Sequence, residues 1–200
     1  MKILLSLLLV FEGLVVFAGG SPLQTGEKAN HTSVEMLNAV GGRMSLEDAM
    51  AEKGLVLIFS CNTCPFVKKW EGRYNGLKKW ADDHEVGLVV LNSNHQKREG
   101  AESFEAMKEH AEEKAYNFPY LVDENSLIAN AMGAQTTPHV FVFDKSFNLV
   151  YKGAIDDNYD DASGVKKAYL KTAIVNLSEG KKIALSETKP VGCGIKRKID

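Results

Sequence analysis

Short apolar runs alternate with segments of helical spacing along most of the chain. Residues 55–59 and 86–91 are rich in aliphatic and branched side chains and too short for buried helices, so each is predicted to be a buried strand. Between them, apolar residues recur at steps of three and four, which predicts a long helix over residues 66–84, weakened or bent at Gly72 and Gly76. A strand, helix and strand in this order imply a parallel pair.

The second half of the chain predicts further helices and a hairpin. Its apolar runs follow helical spacing in three places and are short and strand-like in three others. A turn-rich connection, residues 144–148, suits an antiparallel hairpin. The predicted elements are a helix over 102–116, a strand over 120–122, a helix over 127–132, strands over 140–143 and 149–152, and a helix over 165–177. The whole order predicts an α/β fold with a central mixed β-sheet and helices on both faces.

The first 18 residues have the features of a signal peptide. Lys2 gives a positive start, residues 3–17 are mostly apolar, and small residues before Gly19 suit cleavage. Glu12 is a charge inside the apolar run, so a retained anchor is the alternative. The run is shorter than the roughly 20 apolar residues of a spanning helix. We therefore expect a protein that is exported to the periplasm or secreted, with no stable membrane anchor.

The remaining chain divides into three parts. Residues 19–33 are polar and without regular spacing, which predicts a linker. A single domain is expected over residues 34–188, with a short helix starting near Ser45. Residues 189–200 form a tail that contains Cys193. An odd cysteine can be a reactive thiol or an intermolecular partner, although a small, partly buried residue is the simpler interpretation.

Composition excludes several classes of function. The net charge is -2, and basic and acidic residues are interleaved, so no basic surface for nucleic acid is expected. Three cysteines are too few for a disulfide framework in a chain of 200 residues. Two of them, Cys61 and Cys64, stand three apart, and that spacing indicates chemistry rather than cross-linking.

The Cys61-Asn62-Thr63-Cys64 motif lies where a buried strand gives way to a helix. We therefore predict Cys61 at the helix N-terminus and Cys64 one turn later on the same face. The helix dipole would then lower the pKa of Cys61 and make it the attacking thiolate, with Cys64 as the resolving thiol. Pro65 is compatible with a first helical turn.

A metal-binding module is the alternative for the same pair of cysteines. A structural zinc site needs two more ligands, but the chain has no second CxxC motif and no closely spaced histidine pair. His139 is the one candidate for a further ligand. We expect no metal and no other cofactor.

A second signal is Thr136-Thr137-Pro138, directly before the strand over residues 140–143. A CxxC motif with a Thr-Pro downstream resembles the thioredoxin superfamily, and segments such as residues 118–123 and 190–193 resemble its redoxin-type (AhpC/TSA-like) exported bacterial members. This resemblance implies a thioredoxin-like fold, a cis Pro138 that faces the cysteines, and Thr137 presenting its backbone to an extended substrate. It also implies Cys61 as nucleophile and Cys64 as resolving cysteine.

The resemblance thus predicts a thiol-disulfide oxidoreductase whose partners are protein thiols and disulfides and an unidentified redox protein. The direction of electron flow stays open, because Thr63 replaces the histidine typical of this branch. A thiol peroxidase is the alternative within the redoxins. Such enzymes carry Pro-x3-Thr/Ser-x2-Cys, whereas Gly54 and Ile58 occupy the two positions that precede Cys61.

Overall fold

The computed structural model describes residues 22–199. The predicted signal peptide, residues 1–18, lies outside the described residues, as does the start of the predicted linker. No helix within residues 22–199 combines the length and the apolar composition needed to cross a membrane.

A five-stranded mixed sheet forms the centre of the domain. Its order is β5-β4-β3-β7-β8: β3, β4 and β5 are parallel, β7 is antiparallel to β3, and β8 is antiparallel to β7. These strands are β3 (Gly54–Ser60), β4 (Val86–Asn92), β5 (Tyr120–Val122), β7 (His139–Asp144) and β8 (Leu149–Gly153). Two short pairs lie outside the sheet: β1 (Met36–Leu37) with β2 (Arg43–Met44), and β6 (Thr136–Thr137) with β9 (Cys193–Gly194). The predicted parallel pair and antiparallel hairpin are confirmed.

Helices cover both faces of the sheet. They are α1 (Pro65–Trp70), α2 (Tyr74–Asp82), α3 (Phe104–Glu113), α4 (Leu127–Met132) and α5 (Tyr169–Ser178). One face of the sheet packs against α1, α2, α3 and α5, and the second face packs against α4 and the N-terminal segment. Because every residue of β3 and β4 is buried, their side chains alternate between two apolar layers, which explains their continuous hydrophobic sequence.

The predicted helix over residues 66–84 is divided in two. A 3-10 turn, Glu71–Arg73, separates α1 from α2 and contains Gly72. The second glycine, Gly76, lies inside α2 without interrupting it. The bend therefore occurs at the first of the two glycines, where the helical ladder is weakest.

The predicted helix near Ser45 is wrong, because this segment forms only a turn. Ser45 and Asp48 do exchange the hydrogen bonds of a helix cap, from Ser45 N–H to Asp48 (2.9 Å) and from Asp48 N–H to Ser45 Oγ (3.1 Å). The chain then turns into β3, since Lys53 N–H donates to the carbonyl of Glu85. No second helical turn follows to stabilise the first.

The last helix starts later than its apolar spacing predicts. Asp157 accepts hydrogen bonds from the backbone N–H groups of Lys166 and Lys167, which holds the preceding loop in a closed conformation. As a result, Val165 and Ala168 lie before α5 rather than within it.

The described part of the predicted linker, residues 22–33, packs against the domain. Leu23 and Ala29 are buried in the apolar layer of the second face. Gly26 N–H donates to the carbonyl of Leu149 at 2.7 Å, and Ala29 N–H donates to that of Phe147 at 2.9 Å. Leu23 and Ala29 are isolated apolar residues in a polar segment, so their spacing does not predict this contact.

Candidate active site

The two cysteines of the CxxC motif lie between β3 and α1, but the helix starts later than predicted. β3 ends at Ser60, so Cys61 directly follows the strand. Cys64 is the N-cap residue of α1, and Pro65 is its first helical residue. The prediction that Cys61 occupies the helix N-terminus is therefore wrong. The positive end of the helix dipole lies beside Cys64 instead.

Both sulfurs are enclosed. Cys61 is 2% exposed and Cys64 is 4% exposed, and they pack with Val67 of α1. Cys61 Sγ lies 3.4 Å from the hydroxyl of Thr137. In its thiol form Cys64 donates to the Thr137 carbonyl oxygen at 3.1 Å. Thr137 thus contacts both cysteines.

The pKa of the Cys64 thiol is lowered. The hydrogen bond from the Cys61 thiol has the largest effect, burial opposes it, and the Cys193 thiol with the backbone N–H groups of Val67 and Cys193 lower the pKa further. The contact with the Thr137 carbonyl favours the thiol form, but several donors outweigh one acceptor. Cys64 is therefore the better stabilised thiolate of the pair.

The pKa of Cys61 is raised. Its hydrogen bond to Cys64 contributes most, followed by burial and by the negative charge of Glu102, while the Thr137 hydroxyl acts in the opposite direction. These contacts favour the thiolate on Cys64 rather than on Cys61, for which the sequence predicts the lowered pKa.

Thr137 and Pro138 lie at the same site, as the sequence predicts. The peptide bond between them is cis. Thr137 is 1% exposed, and its backbone pairs with the C-terminal tail in an antiparallel register, opposite Cys193. The edge predicted to receive an extended substrate is therefore occupied by the protein's own chain.

Cys193 is brought to the site by this pairing. Its side chain packs against the pair formed by Cys61 and Cys64, and its thiol contributes to the lowered pKa of Cys64. Burial and the neighbouring Cys64 raise the pKa of Cys193. The third cysteine is only partly buried, which matches the simpler sequence interpretation, but its position beside the motif was not predicted.

Glu102 is a residue of the site that sequence analysis missed. It is fully buried before α3 and accepts hydrogen bonds from residues of the motif and of β4. The donors are Asn62 N–H at 2.8 Å, Thr63 N–H at 3.1 Å, Thr63 Oγ1 at 2.6 Å and Asn92 Nδ2 at 2.7 Å. One carboxyl group therefore fixes both residues between the cysteines.

The side chain of Asn62 is fixed as well. Its Nδ2 donates to the carbonyl of Ala101 at 2.9 Å, and its Oδ1 accepts from the hydroxyl of Tyr120 at 2.8 Å. Tyr120 in turn accepts from Asn92 at 3.0 Å. A buried network of this kind holds the CxxC turn in one conformation.

His139, the third ligand of the alternative metal site, is engaged elsewhere. Its Nδ1 accepts the backbone N–H of Gln135 at 3.1 Å, and its ring packs on Phe141. Burial, with a smaller effect from Lys152, lowers the pKa of His139 to about 3. Across residues 22–199, no three His, Cys, Asp or Glu side chains are grouped so as to hold a metal ion.

The fold, the cis-proline and the cysteine pair agree with a family match over more than half of the chain. Residues 25–152 match the model of the AhpC/TSA family. The chain belongs to the AhpC/TSA family. This membership confirms the predicted redoxin-type branch of the thioredoxin superfamily and supports an oxidoreductase.

Solved structures resemble this AhpC/TSA protein over most of its length. An uncharacterized conserved protein from Geobacillus kaustophilus is 32% identical with a TM-score of 0.81, covering 89% of this chain and 94% of its own. A hypothetical protein from Sinorhizobium meliloti 1021 is 29% identical with a TM-score of 0.75, covering 90% and 98%. Peroxidoxin BcpB from Mycobacterium tuberculosis, 17% identical with a TM-score of 0.60, covers 78% and 97% and shares the fold. No curated protein sequence matches the chain significantly.

Proposed function

We propose that this AhpC/TSA protein is a thiol-disulfide oxidoreductase in which Cys64 is the nucleophile and Cys61 the resolving thiol. The observation that carries the proposal is the position of Cys64 at the N-terminus of α1, where donors converge on its sulfur. A thiolate is the reactive form of cysteine, and helix N-termini favour it. Cys61 lies three residues earlier, directly after β3, and supplies the second sulfur that a dithiol reaction needs.

The exchange proceeds in two balanced steps. The Cys64 thiolate attacks one sulfur of a partner disulfide, forms a mixed disulfide, and releases the other partner sulfur as a thiolate. Cys61 then loses its proton and attacks Cys64 Sγ, which releases the second partner thiol and closes a Cys61–Cys64 disulfide. The reverse sequence oxidises a partner dithiol. Neither direction needs a bound cofactor.

A thiol peroxidase is less well supported by the residues around Cys64. Counted back from Cys64, the Pro and Thr/Ser positions of the peroxidase motif hold Leu57 and Cys61. The hydroxyl that such a motif supplies is therefore absent at this place as well. A second thiol stands there instead, which favours dithiol chemistry.

An exchange assay separates the two reactions. The reduced protein is mixed either with insulin, whose disulfides serve as a protein substrate, or with hydrogen peroxide. Samples are alkylated at intervals, and the oxidation of Cys61 and Cys64 is followed by mass spectrometry. We expect insulin to be reduced with formation of a Cys61–Cys64 disulfide, at a rate well above that of free dithiothreitol at equal concentration. Slow reaction with insulin together with rapid peroxide consumption would reverse the assignment in favour of a peroxidase.

We also propose that the protein acts outside the cytoplasm. This rests on the positive start and the apolar run of residues 1–18, and on the small residues that precede Gly19. N-terminal sequencing of protein recovered from the periplasm or the medium should give a chain that begins at Gly19. An intact Met1 on protein that stays with the membrane fraction would indicate a retained anchor instead.

A further inference from the structure

The C-terminal tail, residues 189–199, crosses the candidate active site and is fixed there by hydrogen bonds. β9 pairs with β6, so that Cys193 lies opposite Thr137 and Gly194 opposite Thr136. Beyond the pair, Ile195 N–H donates to the carbonyl of Gln135 at 3.1 Å. Lys196 N–H donates to Asn94 Oδ1 at 2.8 Å. These backbone contacts fix the sulfur of Cys193 beside that of Cys64.

Gly192 shows how closely the tail approaches. A Cβ atom at this position would lie 2.2 Å from the carbonyl oxygen of Thr137 and 3.1 Å from the nitrogen of Pro138. Only glycine allows the chain to pass the cis peptide at this distance. At Gly194, by contrast, a Cβ atom would meet nothing within 4 Å. The two glycines therefore differ sharply in what a methyl group would do.

The tail lies on the strand edge where an extended substrate would pair with this protein. In such pairing, backbone hydrogen bonds give affinity and side chains enter neighbouring pockets. Cys193 takes the place that a substrate cysteine would take, directly beside the nucleophile. It is also the least enclosed of the three thiols, since Cys61 and Cys64 are 2% and 4% exposed and Cys193 is only partly buried.

We propose that Cys193 is a third redox thiol, which forms a disulfide with Cys64 in the same chain and passes it to partner proteins. The proposal rests on the proposed role of Cys64 as nucleophile. Cys193 is partly exposed with the tail in place, whereas Cys61 and Cys64 are 2% and 4% exposed, so a partner protein meets Cys193 first. Cys193 thus connects the buried pair with the surface.

The chemistry balances within the three cysteines and one partner. When a Cys61–Cys64 disulfide is attacked by the deprotonated Cys193 at Cys64 Sγ, a Cys64–Cys193 disulfide forms and Cys61 leaves as a thiol after protonation. A partner thiolate then attacks Cys193 Sγ, which forms a mixed disulfide and releases Cys64 as a thiolate. A second partner thiol displaces Cys193, so the partner leaves oxidised and the protein is reduced by two electrons.

The properties of the two sulfur atoms in the Cys64–Cys193 disulfide determine which of them a partner thiolate attacks. A thiol of lower pKa is the better leaving group, and Cys64 is the thiol whose pKa is lowered. Attack at Cys193 therefore releases the more stable thiolate and occurs at the more accessible atom. Both factors favour the same sulfur.

The test uses the Cys61→Ser protein, in which Cys64 and Cys193 are the only cysteines that remain. It is oxidised with a small excess of oxidised glutathione, and disulfides are mapped by mass spectrometry of the peptides. We expect an intrachain Cys64–Cys193 disulfide as the main product. Gly192→Ala in this background should slow its formation about tenfold, because the methyl group displaces the tail. Gly194→Ala is the matched control and should leave the rate within about twofold.

The outcomes separate this proposal from the one on which it rests. If Cys61→Ser accumulates glutathione on Cys64 while Cys193 stays free, Cys193 is not a redox thiol, and the exchange reaction of Cys64 and Cys61 stands. If equal slowing follows from both glycine substitutions, the tail contact is not what brings the sulfurs together. If even the wild-type protein forms no disulfide at Cys64, the proposed function itself fails. Circular dichroism establishes that each variant is folded before its rate is compared.

Discussion

Serine in place of Cys64 should abolish the reduction of insulin completely, because a hydroxyl cannot form the mixed disulfide. The double variant Cys61→Ser, Cys193→Ser should behave differently. It retains the nucleophile but neither thiol that could resolve the adduct, so it should accumulate a one-to-one mixed disulfide at Cys64 that reductant releases. Non-reducing gels and mass spectrometry of the adduct measure both results. Adducts on Cys61 in the Cys64→Ser protein would show that the roles are the other way round.

The same assignment predicts a pH dependence. A lowered pKa keeps Cys64 ionised at pH values below about 8.5, where an ordinary thiol becomes protonated. Alkylation of Cys64 by iodoacetamide should therefore continue to lower pH than alkylation of Cys61, whose pKa is raised. Cys61→Ala removes the hydrogen bond that lowers the pKa of Cys64 most, so the midpoint of the Cys64 profile should rise. A midpoint that stays in place would remove Cys61 from this role.

The fold could be predicted because its strands are short, apolar and buried on both faces. β3 and β4 have continuous hydrophobic sequences. Because the segment between them has helical spacing, a helix must connect them as parallel neighbours. The helix predicted near Ser45 does not form, because a local signal conflicts with the path of the chain. There the local cap signal is genuine, but a cap cannot make a helix when the chain must reach the start of a strand a few residues later.

The helix start was predicted at the wrong cysteine because apolar spacing left one boundary open. Apolar spacing begins at Phe66 and does not define which residue starts the helix. Pro65 was the available signal, since proline is favoured at the first helical position and places the residue before it at the cap. Pro65 therefore indicates Cys64, not Cys61, as the residue at the N-terminus of α1.

Two other features of the site had no local signal. Glu102 reaches Asn62 across 40 positions of sequence, and Cys193 reaches the motif from the tail. Both contacts depend on how β4 and β6 are placed next to β3, not on any pattern near the residues themselves. A single sequence indicates contacts between residues that are adjacent or regularly spaced. The contacts of Glu102 and of Cys193 with the motif are neither.

Glu102→Ala should cost the most stability of any substitution in the site. The change removes the acceptor of two backbone N–H groups, those of Asn62 and Thr63, and of one amide hydrogen of Asn92, whose other hydrogen bond to Tyr120 remains. Each unpaired buried donor costs about 1–3 kcal/mol, so we expect a loss of at least about 3 kcal/mol in the free energy of unfolding. Urea unfolding of the reduced protein measures it. Glu105 is an exposed residue in the first turn of α3, and Glu105→Ala should lower the free energy of unfolding by less than about 1 kcal/mol.

Glu102→Gln distinguishes the charge of this residue from its hydrogen bonds. The amide keeps one acceptor oxygen of similar shape, so its stability should lie between those of the wild type and Glu102→Ala. The negative charge that raises the pKa of Cys61 is lost, however. Alkylation of Cys61 should therefore extend to lower pH in Glu102→Gln than in the wild type, measured in the Cys64→Ser background so that a single thiol of the pair reports. An unchanged Cys61 profile would mean that Glu102 acts only by holding Asn62 and Thr63, and that its charge does not tune the resolving thiol.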